Sequence, residues 1–271
     1  MYFAMDELGV ENSDKIMKIA SEYDRWQFVY NAAVAYDFEG IHLTPSLYAS
    51  FGLDLANIPS YFKDFNLSYH LGGKHKILSD ADREAFNRLM DKSFELAVRL
   101  NMHDFSIHPP YTYECSPDEK EASLGHFHKI IEKWLKPALE NNISLSLETH
   151  VAGEFVLFNG LDEYVKFIDA YPALGVLIDV SNNYYDGYSE DDIIRYFSGK
   201  NVKCLHLSDA RQGVGFREGT HLPVGHGSID FSKLLGCFNF KNIPDLCCVL
   251  EMRTSKKNLG NSLNELRQKM Y

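Results

Sequence analysis

Short apolar runs alternate with longer amphipathic stretches along the whole chain, and each run ends on or beside a polar or ionisable residue. The runs cover residues 2–5, 40–43, 66–70, 104–108, 143–148, 175–179, 202–206 and 246–251, and each reads as a strand. Between and after them, residues 24–36, 53–62, 80–100, 117–141, 160–170, 189–198, 230–238 and 258–269 read as helices. Several of these carry start signals. Ser79-Asp80 precedes the third, Ser116-Pro117 with Asp118 and Glu119 opens the fourth, and Ser189 with Glu190 and Asp191 opens the sixth.

Strands separated each time by a helix need crossover connections, so they pair in parallel, and eight such units close a sheet into a cylinder. The pattern therefore predicts one (β/α)8 TIM barrel, an α/β fold. No linker or low-complexity block interrupts the series, which places residues 1–271 in a single domain. The glycine-rich stretch 208–227 follows the seventh run and belongs to the face of the barrel where loops carry function.

The length of 271 residues suits this fold, which takes about 250. With 45% hydrophobic and 24% charged residues, the composition is that of a globular protein and argues against a disordered or fibrous chain. Lys plus Arg number 27 against 38 Asp plus Glu, a net charge of −11 that disfavours sequence-independent attraction to nucleic acid. The start meets Asp6 and Glu7 where a secretion signal would be cationic and then apolar, and no run approaches the roughly 18 to 20 apolar residues of a membrane span. The five cysteines are an odd number, and Cys247 and Cys248 sit together in the last apolar run as small hydrophobes. Reduced thiols and a cytoplasmic location are expected.

In a parallel barrel all strand C-termini face one mouth, so residues that close successive runs converge there. Those residues are His70, His108, Glu148, Asp179, His206 and Glu251. Imidazoles and carboxylates bind Zn²⁺ or Mn²⁺ without cysteine. A lone histidine at a strand end ordinarily hydrogen-bonds or faces solvent, and a lone carboxylate there caps the next helix. Six on one rim cannot all be caps, and bare groups so crowded repel or shift their ionisation unless a cation neutralises them. His42, His75, His103, His126 and His128 lie within a strand or on helices and loops, and the ordinary reading holds for them.

The runs Ser146-Leu147-Glu148-Thr149-His150, Leu177-Ile178-Asp179, Leu205-His206-Leu207-Ser208-Asp209, Gly225-His226-Gly227-Ser228-Ile229-Asp230 and Leu250-Glu251 resemble the xylose-isomerase-like barrel superfamily, which embraces sugar isomerases and epimerases as well as endonuclease IV. The resemblance implies that Glu148, Asp179, His206 and Glu251 form one divalent metal site. It also implies that Glu148 and Glu251, across the mouth from one another on the fifth and eighth strands, exchange protons with a substrate whose carbonyl the metal polarises. The physics supports that division, because a cation at a ketone oxygen stabilises a developing enediolate and a carboxylate on either face of the carbon moves its proton.

A second resemblance runs to endonuclease IV. His70 and His108 match two histidines that, with the first glutamate, hold a further zinc, and His221 matches another of its ligands. Asn182 stands where the Asp-x-x-His motif would place histidine, and Gly219 stands where an aspartate would precede His221. Both are poor zinc ligands, which weakens a trinuclear phosphodiesterase and leaves room for a second ion at His70, His108 and His221. His150, Arg211, Asn182 and Lys74 are candidate substrate contacts, with Arg217 and Lys76 as further loop cations; residues 182–188 could wall a sugar pocket or simply pack as a loop. The expectation is a metal-dependent isomerase or epimerase of a small sugar, sugar phosphate or polyol. The alternatives are an endonuclease-IV-like zinc phosphodiesterase acting on abasic DNA, for which nucleic acid is the partner, and a related metal-dependent lyase or dehydratase.

Overall fold

The computed structural model of the chain describes residues 1–6, 10–112, 115–150, 157–237, 243, 246–252 and 256–270. Eight strands, β1 Tyr2–Met5, β2 Gly40–Leu43, β3 Asn66–Leu71, β4 Asp104–Ile107, β5 Ser144–Glu148, β6 Gly175–Asp179, β7 Val202–His206 and β8 Cys247–Leu250, form a closed barrel. Every pairing is parallel, and β8 returns to β1. Flanking helices complete a (β/α)8 barrel. They are α1 Val10–Ile16 and α2 Glu22–Ala35 after β1, α3 Pro45–Ser50 after β2, α4 Asp80–Arg99 after β3, α5 Pro117–Glu140 after β4 and α6 Leu161–Asp169 after β5. Then come α7 Val180–Tyr185 and α8 Glu190–Phe197 after β6, α9 Phe216–Gly219 and α10 Phe231–Cys237 after β7, and α11 Lys256–Met270 after β8. Among the described residues no helix is long and apolar enough to cross a membrane.

The helix starts follow from their caps. Ser79, Ser116 and Ser189 each accept the N–H three residues on, and Asp82, Glu119 and Asp192 reach back to the capping N–H. The helix expected over 53–62 is replaced by two short 3-10 turns, Leu55–Asn57 and Ser60–Asp64. Pro59 stands between them; it has no N–H to donate and biases Ile58 away from helical angles.

The apolar core is a ring between the outer faces of the strands and the helices. Phe86, Met90 and Phe94 of α4 and Phe127, Ile131 and Trp134 of α5 recur every three or four residues and pack on strand residues such as Tyr69, Phe105 and Leu145. Inside the barrel the character changes. A small group of Ala4, Leu177, Cys204, Cys247 and Val249 fills part of the space. Much of the remainder is polar: His42, Ser68, Asp104, Ser106 and Ser146 are all buried. A Cβ on Gly40 would lie 2.6 Å from the Tyr2 ring, so glycine is what lets that ring lie at the base of the barrel.

Candidate functional site

At the C-terminal ends of the strands one donor atom from each of Glu148, Asp179, His206 and Glu251 lies within 4.8 Å of the others. His206 Nδ1 is 2.6 Å from Glu251 Oε2 and 3.6 Å from Glu148 Oε1. The other oxygen of Glu148 faces a second trio. Its Oε2 is 3.3 Å from His70 Nε2 and 2.9 Å from His108 Nε2, and the two histidine nitrogens are 3.1 Å apart. Glu148 thus lies between two donor groups, one oxygen turned to each.

The residues fit a divalent cation. Glu148 Oε2, His206 Nδ1 and Glu251 Oε2 are buried, yet despite these short approaches none has an aligned hydrogen-bond partner. Their lone pairs converge on shared points. Ligands about 2.1 Å from one ion stand roughly 3.0–3.4 Å from each other, and the 2.6 and 3.6 Å separations about His206 Nδ1 bracket that spacing. His, Asp and Glu without cysteine suit zinc or manganese.

Without an ion, protons do the neutralising. Burial alone would raise the Glu148 carboxyl, but His108, His206 and His70 hold it well below the usual range. Burial opposes ionisation of Glu251 too, and His206 and His221 overcome it. His206, which burial would push down, is raised to about 10 by Glu251 and Glu148, and His108 is raised by Glu148. His70 is lowered to about 3, because burial outweighs the pull of Glu148. Asp179 is raised to about 7 by burial, with Glu251 and Glu148 adding to it.

Neighbours fix the orientation of each ring. Ser106 gives its hydrogen to the Tyr69 carbonyl, so its oxygen accepts from His70 Nδ1 at 3.0 Å and leaves His70 Nε2 bare toward the mouth. His108 is the opposite case. The Gly73 N–H donates to its Nδ1 at 3.2 Å, so Nε2 carries the hydrogen. Asp179 caps α7: its Oδ1 accepts from the Asn182 N–H at 2.8 Å and its Oδ2 from Asn182 Nδ2 at 2.6 Å. That leaves Asn182 Oδ1 buried and without an aligned partner. Asp209, which the sequence reading gave no role, accepts from four backbone N–H groups, those of Ala210, Gly225, Gly227 and Ile229, and so anchors the loop after β7.

The other candidates scatter. His150 packs its ring 4.9 Å from that of His108, and burial lowers it to about 4. His221 does not join His70 and His108: its Nδ1 lies 3.3 Å from the Glu251 carbonyl, and its backbone adopts φ 52° with its N–H on Ser181 Oγ. Arg211 is exposed and donates to the His226 carbonyl, Arg217 is exposed, and Lys74 lies over the Tyr111 ring. In the 182–188 segment Tyr184 and Tyr185 donate to the carbonyls of Ser228 and Val214, tying loops together. His75, His126 and His128 have local partners, Gly72, Arg83 and Tyr171. His42 Nδ1 lies 2.6 Å from Ser68 Oγ. Its ring is fully buried inside the barrel, 5.1 Å from that of His206 and 5.2 Å from that of His70. Its parity along β2 was the available signal. A cavity of about 690 Å³ beside α3 and α4 lies on the outer surface, away from these donors.

A family model described as a xylose isomerase-like TIM barrel matches residues 31–269. The probable endonuclease 4 of Methanosphaera stadtmanae is 24% identical over 277 residues, covering 84% of this chain and 97% of that protein. Among solved structures, a D-tagatose 3-epimerase-like protein superposes with a TM-score of 0.74 at 16% identity, over 100% of both chains. D-psicose 3-epimerase, solved in the presence of D-fructose, gives 0.70 at 15% identity over 100% of this chain and 99% of that one. At such identities these two structures speak for the fold alone.

Proposed function

The chain belongs to the xylose isomerase-like TIM-barrel family, and from that premise we propose that it is a divalent-metal-dependent isomerase or epimerase of a small sugar, sugar phosphate or polyol. One observation carries the reading: carboxylate oxygens of both Glu251 and Glu148 approach the same nitrogen of His206, at 2.6 and 3.6 Å. Glu148, Asp179, His206 and Glu251 would hold zinc or manganese, which when bound polarises a substrate carbonyl. Glu148 and Glu251 are the acid–base pair. One takes the proton from the carbon beside the carbonyl, and the other returns it on the opposite face. His108 Nε2–H offers a donor and Asn182 Oδ1 an acceptor to substrate hydroxyls, with His150 at the wall of the same mouth. Arg211 and Lys74, exposed on the loops after β7 and β3, are the candidates for a charged or hydroxylated tail of the substrate.

A second reading rests on the relative named probable endonuclease 4: a zinc phosphodiesterase acting on abasic DNA. The donor set argues against it. Asn182 spends its amide on Asp179, Gly219 has no side chain to offer, and the Gly73 N–H on His108 Nδ1 would have to open before Nε2 could ligate a second ion. Elemental analysis with a solvent-isotope assay separates the readings. One exchangeable ion, with solvent deuterium entering a ketose, is expected. Two or three tightly held zinc ions, with salt-sensitive nicking of an abasic oligonucleotide, would reverse the order. A third outcome, water loss from a polyol, would point to a related lyase or dehydratase.

A further inference from the structure

Below the mouth an unbroken series of short polar contacts runs down the barrel interior. His206 Nε2 lies 3.2 Å from His42 Nε2, His42 Nδ1 lies 2.6 Å from Ser68 Oγ, and Ser68 Oγ lies 3.8 Å from Cys247 Sγ. His42, Ser68, His206 and Cys247 are all shut off from solvent. Barrel interiors are ordinarily filled by branched apolar side chains, so three polar residues in contact there need a reason.

The series can be wired in only two directions, because each neutral imidazole has one donor and one acceptor nitrogen. If His42 donates from Nε2, His206 must accept at Nε2 and keep its hydrogen on Nδ1. If His42 accepts at Nε2, it donates from Nδ1 to Ser68, whose hydroxyl hydrogen turns to Cys247. The mouth decides between them. His206 Nδ1 faces Glu251 at 2.6 Å and Glu148 at 3.6 Å, the side on which an ion would be held. With an ion on Nδ1 the hydrogen of the ring sits on Nε2, and His42 must receive it.

We propose that His42 and Ser68 are positioning residues, a relay that fixes the ring of His206 with Nδ1 turned to the mouth as an ion ligand. The inference rests on the metal-dependent reading above and extends it to two residues outside the mouth. It parallels the Ser106 contact that leaves His70 Nε2 bare, so two histidines of the mouth are oriented from the layer of side chains beneath them.

The test has two arms. The first is the nitrogen-15 imidazole spectrum of the zinc-loaded wild-type protein, in which His42 is expected to carry its hydrogen on Nδ1 with Nε2 bare; a His42 protonated on Nε2 would overturn the relay. The second compares zinc and manganese affinity, by chelator competition, in His42→Met, His42→Gln and Ser68→Ala, with thermal midpoints of the metal-free proteins as the control for folding. His42→Met keeps the bulk and removes the acceptor, and should weaken binding about 10–100-fold. His42→Gln places an amide oxygen near the lost nitrogen and should restore most of the loss, while Ser68→Ala should fall between His42→Met and wild type. Wild-type affinity in a folded His42→Met would overturn the proposal while leaving the mouth reading intact. A wild-type protein that takes up no ion would instead overturn the mouth reading, and the relay with it. A cobalt-loaded protein with a thiolate charge-transfer band that vanishes in Cys247→Ala would also overturn it, since His42 would then be a ligand beside Cys204 and Cys247.

Discussion

Replacing Asp104 by asparagine should stabilise the protein at neutral and alkaline pH and leave it nearly unchanged in acid. Asp104 opens β4 at the base of the barrel with 4% of its surface exposed. Its Oδ1 accepts from Ser146 at 2.6 Å, and its Oδ2 has no aligned partner. Burial pushes the carboxyl from the usual 3.8 up to about 7, against the Ser146 hydrogen bond, which works the other way. The folded state therefore binds this proton more tightly than the unfolded chain does. The resulting stabilisation is complete below about pH 4 and is lost as the pH rises through about 7. A shift of about 3 units at about 1.4 kcal/mol each corresponds to about 4 kcal/mol. Unfolding entropy near 2.1 cal/mol/K per residue sums to roughly 0.6 kcal/mol/K for this chain, so the expected difference is about 7 °C in midpoint. Asparagine keeps an acceptor for Ser146 and cannot ionise. Thermal midpoints of both proteins, recorded with a chelator present from pH 4 to 9, should diverge by that amount above pH 8 and converge near pH 4. A gap independent of pH, or a variant less stable at pH 8, would refute the assignment of a buried neutral acid.

Glu251→Gln should lower turnover by about 10²–10⁴-fold, because an amide neither balances the ion nor carries a proton; deuterium incorporation into substrate measures it, and wild-type rates would remove the role. Asn182→His should add one equivalent of zinc by elemental analysis, and an unchanged stoichiometry would count against that position as the lost ligand. Ion affinity should rise with pH, since an incoming ion displaces the proton that His206, raised to about 10 by its carboxylates, holds through the neutral range. Each proton displaced contributes about tenfold per pH unit, read by chelator competition between pH 6 and 9, and a flat profile would contradict it.

The strand ends were readable because a parallel barrel turns every C-terminus to one face. Glu148, Asp179 and His206 close β5, β6 and β7, and one rule of geometry places all three. His42 escaped that rule. It is the penultimate residue of β2, so its importance depends on which way the strand's alternation points, and apolar neighbours on both sides made it look ordinary. The sign of the orientation at His108 depends on a loop N–H from Gly73, and the role of Asp209 on amides up to twenty residues away. Such contacts follow from loop conformation, which spacing does not encode. Lys74 and Arg211 show the same gap from the other side: residue type suggested substrate contact, and spacing does not give the reach of the exposed loops that carry them. The short helix at Pro45 had its signal, proline at the first helical position after Thr44, but too few residues for a period to show.

The division between an apolar outer ring and a polar interior separates what keeps this molecule folded from what it does. Leucine, isoleucine and phenylalanine between strands and helices supply the cohesion, while serines, histidines and a carboxyl line the axis and add little to it. Exchange of one axial side chain for another of similar volume should thus retune the reaction without melting the shell, so that closely similar scaffolds can diverge in chemistry through a few inward-facing positions.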